Sequence, residues 1–77
     1  MVSLPGYFLY KKDNSDGING VPSYYMYLNS YGEWYIVKEK QNTYVYVRGK
    51  NKPEDSWAQK THLEYDRYDN IFKQNKD

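Results

Sequence analysis

The chain has no cysteine, which removes disulfides and thiolate metal sites from the ways a small domain can be stapled. Its one histidine, His62, cannot build a zinc site alone. Net charge is only +1, so no whole-chain field draws the protein to nucleic acid or to an anionic membrane. Long apolar runs are missing too. The opening "MVSLPGYFLY" is too short for a bilayer span and lacks the basic start and small-residue cleavage site of a signal peptide, so synthesis in a cytoplasm is expected. The 77 residues make one domain, residues 1–77, too small for a large core. With disulfides and metals gone, the stabiliser left open is oligomerisation or docking on a larger partner.

What the chain has is aromatic side chains. Apolar residues are 39% of the sequence and aromatics alone 19%, with eleven tyrosines. That argues against disorder and for strands.

The spacing predicts strands at Tyr7–Lys11, Ser23–Asn29, Trp34–Glu39 and Thr43–Arg48, and a fifth over Thr61–Tyr65. "KDNSDGINGVP" reads as a loop. A calcium loop starting at Asp13 fails, because its fifth position is Gly17 and its twelfth is Tyr24. "NSYGE" and "KQN" read as hairpin turns. In "PEDSWAQK", Pro53 suits a first helical position and the acids favour a helix N-terminus. The expected fold is all-β, a small antiparallel sheet of about five strands. It forms a partly closed barrel or half-sandwich with one short helical turn near residues 53–59. Ile71 and Phe72 are a hook onto the domain or onto a neighbour, and residues 73–77 are a frayed tail.

"SYYMYLNSYGEWYIV", residues 23–37, does not alternate as a one-sided strand should. Pairing across its turn sorts it. Leu28 faces Trp34, Met26 faces Ile36 and Tyr27 faces Tyr35, since opposed residues share a face. A two- or four-residue second turn sets Val37 against Tyr46 and Ile36 against Val47; a three-residue turn swaps the faces of the fourth strand. The first register separates an aliphatic face from a tyrosine face. The expected core is Leu9, Met26, Leu28, Trp34, Ile36, Val45, Val47, Trp57 and Leu63. Trp57 either plugs the open end of the sheet or faces a neighbour. The tyrosine face, with Tyr25, Tyr27, Tyr35, Tyr44, Tyr46 and Arg48, has three readings: a solvated surface, a protein interface, or a stacking platform for bases or sugars. The small size favours the interface.

No nucleophile–base pair or fixed carboxylate pair stands out, so no enzyme is expected. His62 reads as an exposed strand residue. No cofactor, metal or small-molecule substrate is implied. The basic run Arg48, Lys50, Lys52 beside Tyr44 and Tyr46 has nucleic-acid character. However, "YVYVRGKNK" lacks the aromatics that an RNA-recognition strand carries after its Gly, and Glu39, Glu54 and Asp55 dilute the charge.

From Tyr24 onward the ordered set Trp34, Ile36, Lys38, Glu39, then Tyr44, Arg48, Gly49, then Ser56, Trp57, Lys60, Leu63, Tyr65 resembles small proteins encoded by tailed bacteriophages. It covers about half the chain. Their pattern is a "W-x-I-x-[RK]-E" strand, a "Y-x-x-x-R-G" strand and a "small-W-x-x-[RK]-x-x-L-x-Y" close. The resemblance implies a structural, virion- or tail-associated role and no activity. The location would be the virion, after synthesis in the host bacterial cytoplasm. The partners would be further copies of the chain or a larger virion protein. The alternative is a non-structural phage-encoded binding protein, either a host-factor inhibitor or a single-stranded nucleic-acid binder.

Overall fold

The computed structural model describes residues 4–13 and 21–72. Most of the expected loop, residues 14–20, and the expected frayed tail, residues 73–77, lie outside the described residues. Four strands, β1 (Tyr7–Asp13), β2 (Ser23–Asn29), β3 (Glu33–Lys40) and β4 (Thr43–Lys50), form one antiparallel sheet in chain order. Two short helices follow, α1 (Pro53–Ala58) and α2 (Tyr68–Ile71), with a 3-10 turn at Lys60–His62 between them. The protein is mostly β, as the composition implied. The sheet is single and open, so the partly closed barrel does not form.

Turn chemistry fixes the registers. The Asn29 side-chain oxygen accepts from the N–H groups of Tyr31 and Glu33, both at 2.9 Å, and its amide donates to Glu33 Oε1 at 2.8 Å. Gly32, at φ 82°, takes the left-handed position that a three-residue hairpin loop requires. This sets Leu28 opposite Trp34, Tyr27 opposite Tyr35 and Met26 opposite Ile36. The second turn holds only Gln41 and Asn42, at φ 52° and 66°, the type I′ geometry that suits strand twist. It sets Ile36 opposite Val47 and Val37 opposite Tyr46.

On the aliphatic face, Met26, Ile36, Trp34 and Tyr24 are buried, with Leu28, Val47, Trp57, Leu63 and Tyr65 packed against them. Trp57 is half-buried against this cluster, and Val45 is half-buried on the same face opposite Lys38. Trp34 lies flat over Gly49, its cross-strand partner; a Cβ on Gly49 would sit 2.3 Å from Trp34 Cζ2. The indole N–H donates to the Asn51 carbonyl at 2.9 Å.

Two expectations need correction. The Thr61–Tyr65 segment is not a fifth strand. The 3-10 turn and an extended Leu63 carry the chain over the aliphatic face, so it meets the plane of the sheet only at Asp66. There the Tyr46 N–H donates to the Asp66 carbonyl at 2.7 Å, and the Asp66 N–H returns to Tyr46 at 2.9 Å. His62 therefore lies in the 3-10 turn rather than on a strand, and it is exposed.

Leu9 is not core. It lies opposite Tyr27 on the outermost strand and is 48% exposed. The register of β1 then shifts between Leu9 and Lys11, leaving Tyr10 as an extra residue.

Gly49→Ala should destabilise the domain by about 2–3 kcal/mol, because the indole has nowhere to retreat. Chemical denaturation with an unchanged midpoint would contradict this account of Gly49. Replacing Gln41-Asn42 by Asn-Gly should raise stability by about 1 kcal/mol, since Gln is a poor residue for a left-handed position. The same denaturation curve reads the gain.

Candidate interaction surfaces

The tyrosine face is covered by the chain's own tail. Beyond Asp66 the chain crosses the outer edge of β4 and packs α2 and Phe72 onto that face. Asp66 starts the final turn: its carboxylate accepts the Arg67 N–H at 2.7 Å and the Asn70 amide at 3.1 Å, and these bonds hold its pKa below the ordinary range. Tyr35 is the hub. It stacks on Tyr27 with centroids 5.0 Å apart, and takes Tyr7 and Phe72 edge-on at 5.0 and 5.2 Å. Its hydroxyl accepts the Leu4 N–H at 3.1 Å, which draws the first described residue onto the same face. Tyr46 meets Tyr68 and Phe72 edge-on at 5.3 and 5.7 Å. Such pairs contribute about 0.5–1.5 kcal/mol each beyond area burial.

This overturns the expected use of three of the six proposed interface residues. Tyr27, Tyr35 and Tyr46 are 7%, 1% and 4% exposed within the single chain. They are core residues, because Phe72, Tyr68 and Leu4 supply the cover assigned to a neighbour. Tyr25, in the same rank as Val37 and Tyr46, and Tyr44, nearer the β3–β4 turn, are half-buried. Arg48 is exposed, with its guanidinium 5.3 Å above the Phe72 ring and Nη1 donating to the Ile71 carbonyl at 3.4 Å. It clasps the tail. Ile71 and Phe72 had been expected as a hook; in this chain the hook closes on its own domain.

A matching clasp stands on the other face. The ammonium of Lys60 lies 4.6 Å from the Trp57 ring and pairs with Asp13 at 3.4 Å; Lys38 covers Tyr65 at 5.4 Å. The Tyr65 hydroxyl donates to the Lys60 carbonyl at 2.8 Å. The extra residue in β1 lets two neighbours, Tyr10 and Lys11, both reach Glu54 on α1. The Tyr10 hydroxyl donates to the carboxylate and Lys11 pairs with it at 3.1 Å. These two bonds lower the Glu54 pKa, the Tyr10 bond first.

The exposed apolar surface is elsewhere. Phe8, Leu9 and Tyr10 are consecutive on β1 and are 53%, 48% and 37% exposed; Val21 and the turn residue Tyr31 add 43% and 80%. Sequence reading missed this patch because it placed Leu9 in the core and assigned β1 no position in the sheet. The two lysines that follow, Lys11 and Lys12, were the available signal of an edge. Comparison of the chain with protein families, curated proteins and solved structures gives no match.

Burial raises the phenol pKa values of Tyr24, Tyr27, Tyr35 and Tyr46, and that of Tyr65 furthest. The folded state therefore keeps these protons to higher pH than the unfolded chain does. Their stabilisation is complete below the unfolded value of about 10 and is lost as pH rises through the folded values. Absorbance titration at alkaline pH should show two tyrosine populations, the second ionising together with loss of the sheet. Phe72→Ala should cost about 2–3 kcal/mol, less than a fully buried Phe, and should move that second step to lower pH. A single population titrating with the sheet intact would contradict the buried cluster.

Proposed function

We propose that the protein is a non-catalytic structural component of a bacteriophage particle, acting through contacts with other protein chains. One observation carries the contact reading. Both faces of the sheet are closed by the chain itself, while three consecutive apolar or aromatic residues stay exposed on β1. A domain that completes its own core has no folding need for that exposure, and exposed apolar patches mark interaction sites. The proposed contact surface accordingly moves from the buried tyrosines to Phe8, Leu9 and Tyr10. The particle is supported by the resemblance to small tailed-phage proteins, carried by Trp34, Gly49, Trp57, Lys60, Leu63 and Tyr65.

The stacking version of the alternative role is weakened, since Tyr46 lies beneath Phe72 and Arg48 holds its guanidinium over that same ring. A base would have to displace the tail to reach Tyr46.

Quantitative mass spectrometry of purified particles of the encoding phage should find the chain at a fixed copy number that survives high-salt washing. Its absence from particles, with abundance in infected cells, would overturn the structural role in favour of a non-structural binder.

A further inference from the structure

The exposed residues of β1 lie on both sides of the sheet. Phe8 is opposite Leu28 and shares the aliphatic face; Leu9 is opposite Tyr27 and shares the tyrosine face. A partner laid on one face would cover one of them. A strand added to the edge flanks both and also meets the outward backbone groups of β1, except the Tyr7 N–H, which already donates to the Leu4 carbonyl at 3.2 Å. Among the described residues, β1 has β2 as its one sheet neighbour.

We propose that β1 is a self-pairing edge, where two copies join antiparallel about a two-fold axis at Phe8 to make one continuous sheet. The inference rests on the proposed assembly role. Its own support is the sequence of the strand, "YFLYKKD". A two-fold antiparallel pair sets one residue against itself. Centred on Phe8, it places Phe8 against the second copy's Phe8 on one face and Leu9 against the second copy's Tyr7 on the other. Every such pair is apolar or aromatic. Centred on Leu9, it would set Tyr7 against Lys11; centred on Tyr10, it would set Leu9 against Lys11 and Phe8 against Lys12. The extra residue at Tyr10 also breaks the regular ladder in those registers. With Phe8 at the axis, the Lys12 residues of the two copies stand roughly 25 Å apart along the strands, beyond the reach of their repulsion at physiological salt.

The area sets the strength. Phe8, Leu9, Tyr10 and the adjoining backbone bury on the order of 300–400 Å² per copy, less than a permanent dimer hides. The pairing is therefore weak in dilute solution, with dissociation on the order of 0.1–1 mM, and strong only where copies are held close together.

Sedimentation velocity on the full chain from about 10 µM to about 1 mM spans that range. The sedimentation coefficient should rise toward that of a dimer, and Phe8→Lys should stay monomeric throughout with unchanged circular dichroism and melting. Oxidation should couple Phe8→Cys into a covalent dimer at least about tenfold faster than Tyr31→Cys, since cross-strand partners lie within disulfide reach. Tyr31 is the more exposed of the two, so exposure alone predicts the opposite order. A monomer at the highest concentration, a dimer indifferent to Phe8→Lys, or equal coupling of the two cysteine variants would each overturn the proposal. A monomer that is nevertheless present in particles removes the β1 pairing and leaves the structural role. A dimer absent from particles does the reverse.

Discussion

Two backbone hydrogen bonds between Tyr46 and Asp66 mark where the chain passes from one face of the sheet to the other. Before Asp66, the segment carrying Trp57, Leu63 and Tyr65 closes the aliphatic face; after it, Tyr68, Ile71 and Phe72 close the tyrosine face. A four-stranded sheet has two faces to cover, and among the described residues the stretch after β4 supplies most of that cover, with Leu4 added on the tyrosine face. Pairing a single residue at the edge of β4 lets that stretch serve both sides. The edge is occupied, yet the chain is not committed to the length of a fifth strand. Continuous pairing over five residues would hold the segment in the plane of the sheet and leave both faces open.

That economy also explains what the sequence disclosed and what it hid. The registers were legible because they follow from local chemistry. Asn29 and Gly32 specify one turn; the second register is the one that separates an aliphatic face from a tyrosine face, and the two-residue turn Gln41-Asn42 delivers it. The alternation in "THLEY" was read as a strand. It did report that Leu63 and Tyr65 share a side and point at the core, as they do in the structure. Alternation records extended backbone buried on one side; it carries no information about whether a ladder partner exists. The tyrosine face was legible as a face, but its cover was not. Ile71 and Phe72 are an isolated apolar pair in a polar tail, and distance along the sequence gives no measure of which surface they reach. Leu9 was misplaced for a third reason: the position of β1 at the outside of the sheet is a property of strand order.

The residues behind the phage resemblance take on a physical meaning in this geometry. Trp34 and Gly49 are direct cross-strand partners, one supplying a ring and the other the room for it. Lys38, Lys60 and Arg48, the basic positions of the pattern, each hold a cation over an aromatic ring of another segment, Tyr65, Tyr24 and Phe72 respectively. A cation above a ring needs charge and reach more than a particular head group. Lysine therefore serves at the first two positions where arginine would serve as well. Arg48 does more, since it also donates to a tail carbonyl. In this chain the residues of that pattern serve to close the two faces of the sheet.

The two edges of the sheet are treated differently, and the difference bears on how such a domain meets others. The β4 edge is blocked by Asp66 and the strap that follows. Half of β1 is protected by an irregular register and two lysines, and the Tyr7 N–H is taken by the Leu4 carbonyl, while Phe8 and Leu9 carry none of the usual edge defences. Because both cores are complete within one chain, the exposed half is already ordered before any partner arrives. Association there costs little conformational entropy, so a small contact area retains more of its gross energy than the same area on a segment that must fold. A pre-formed edge of limited length suits a reversible contact between chains that are already held near one another, where a weak pairing is enough.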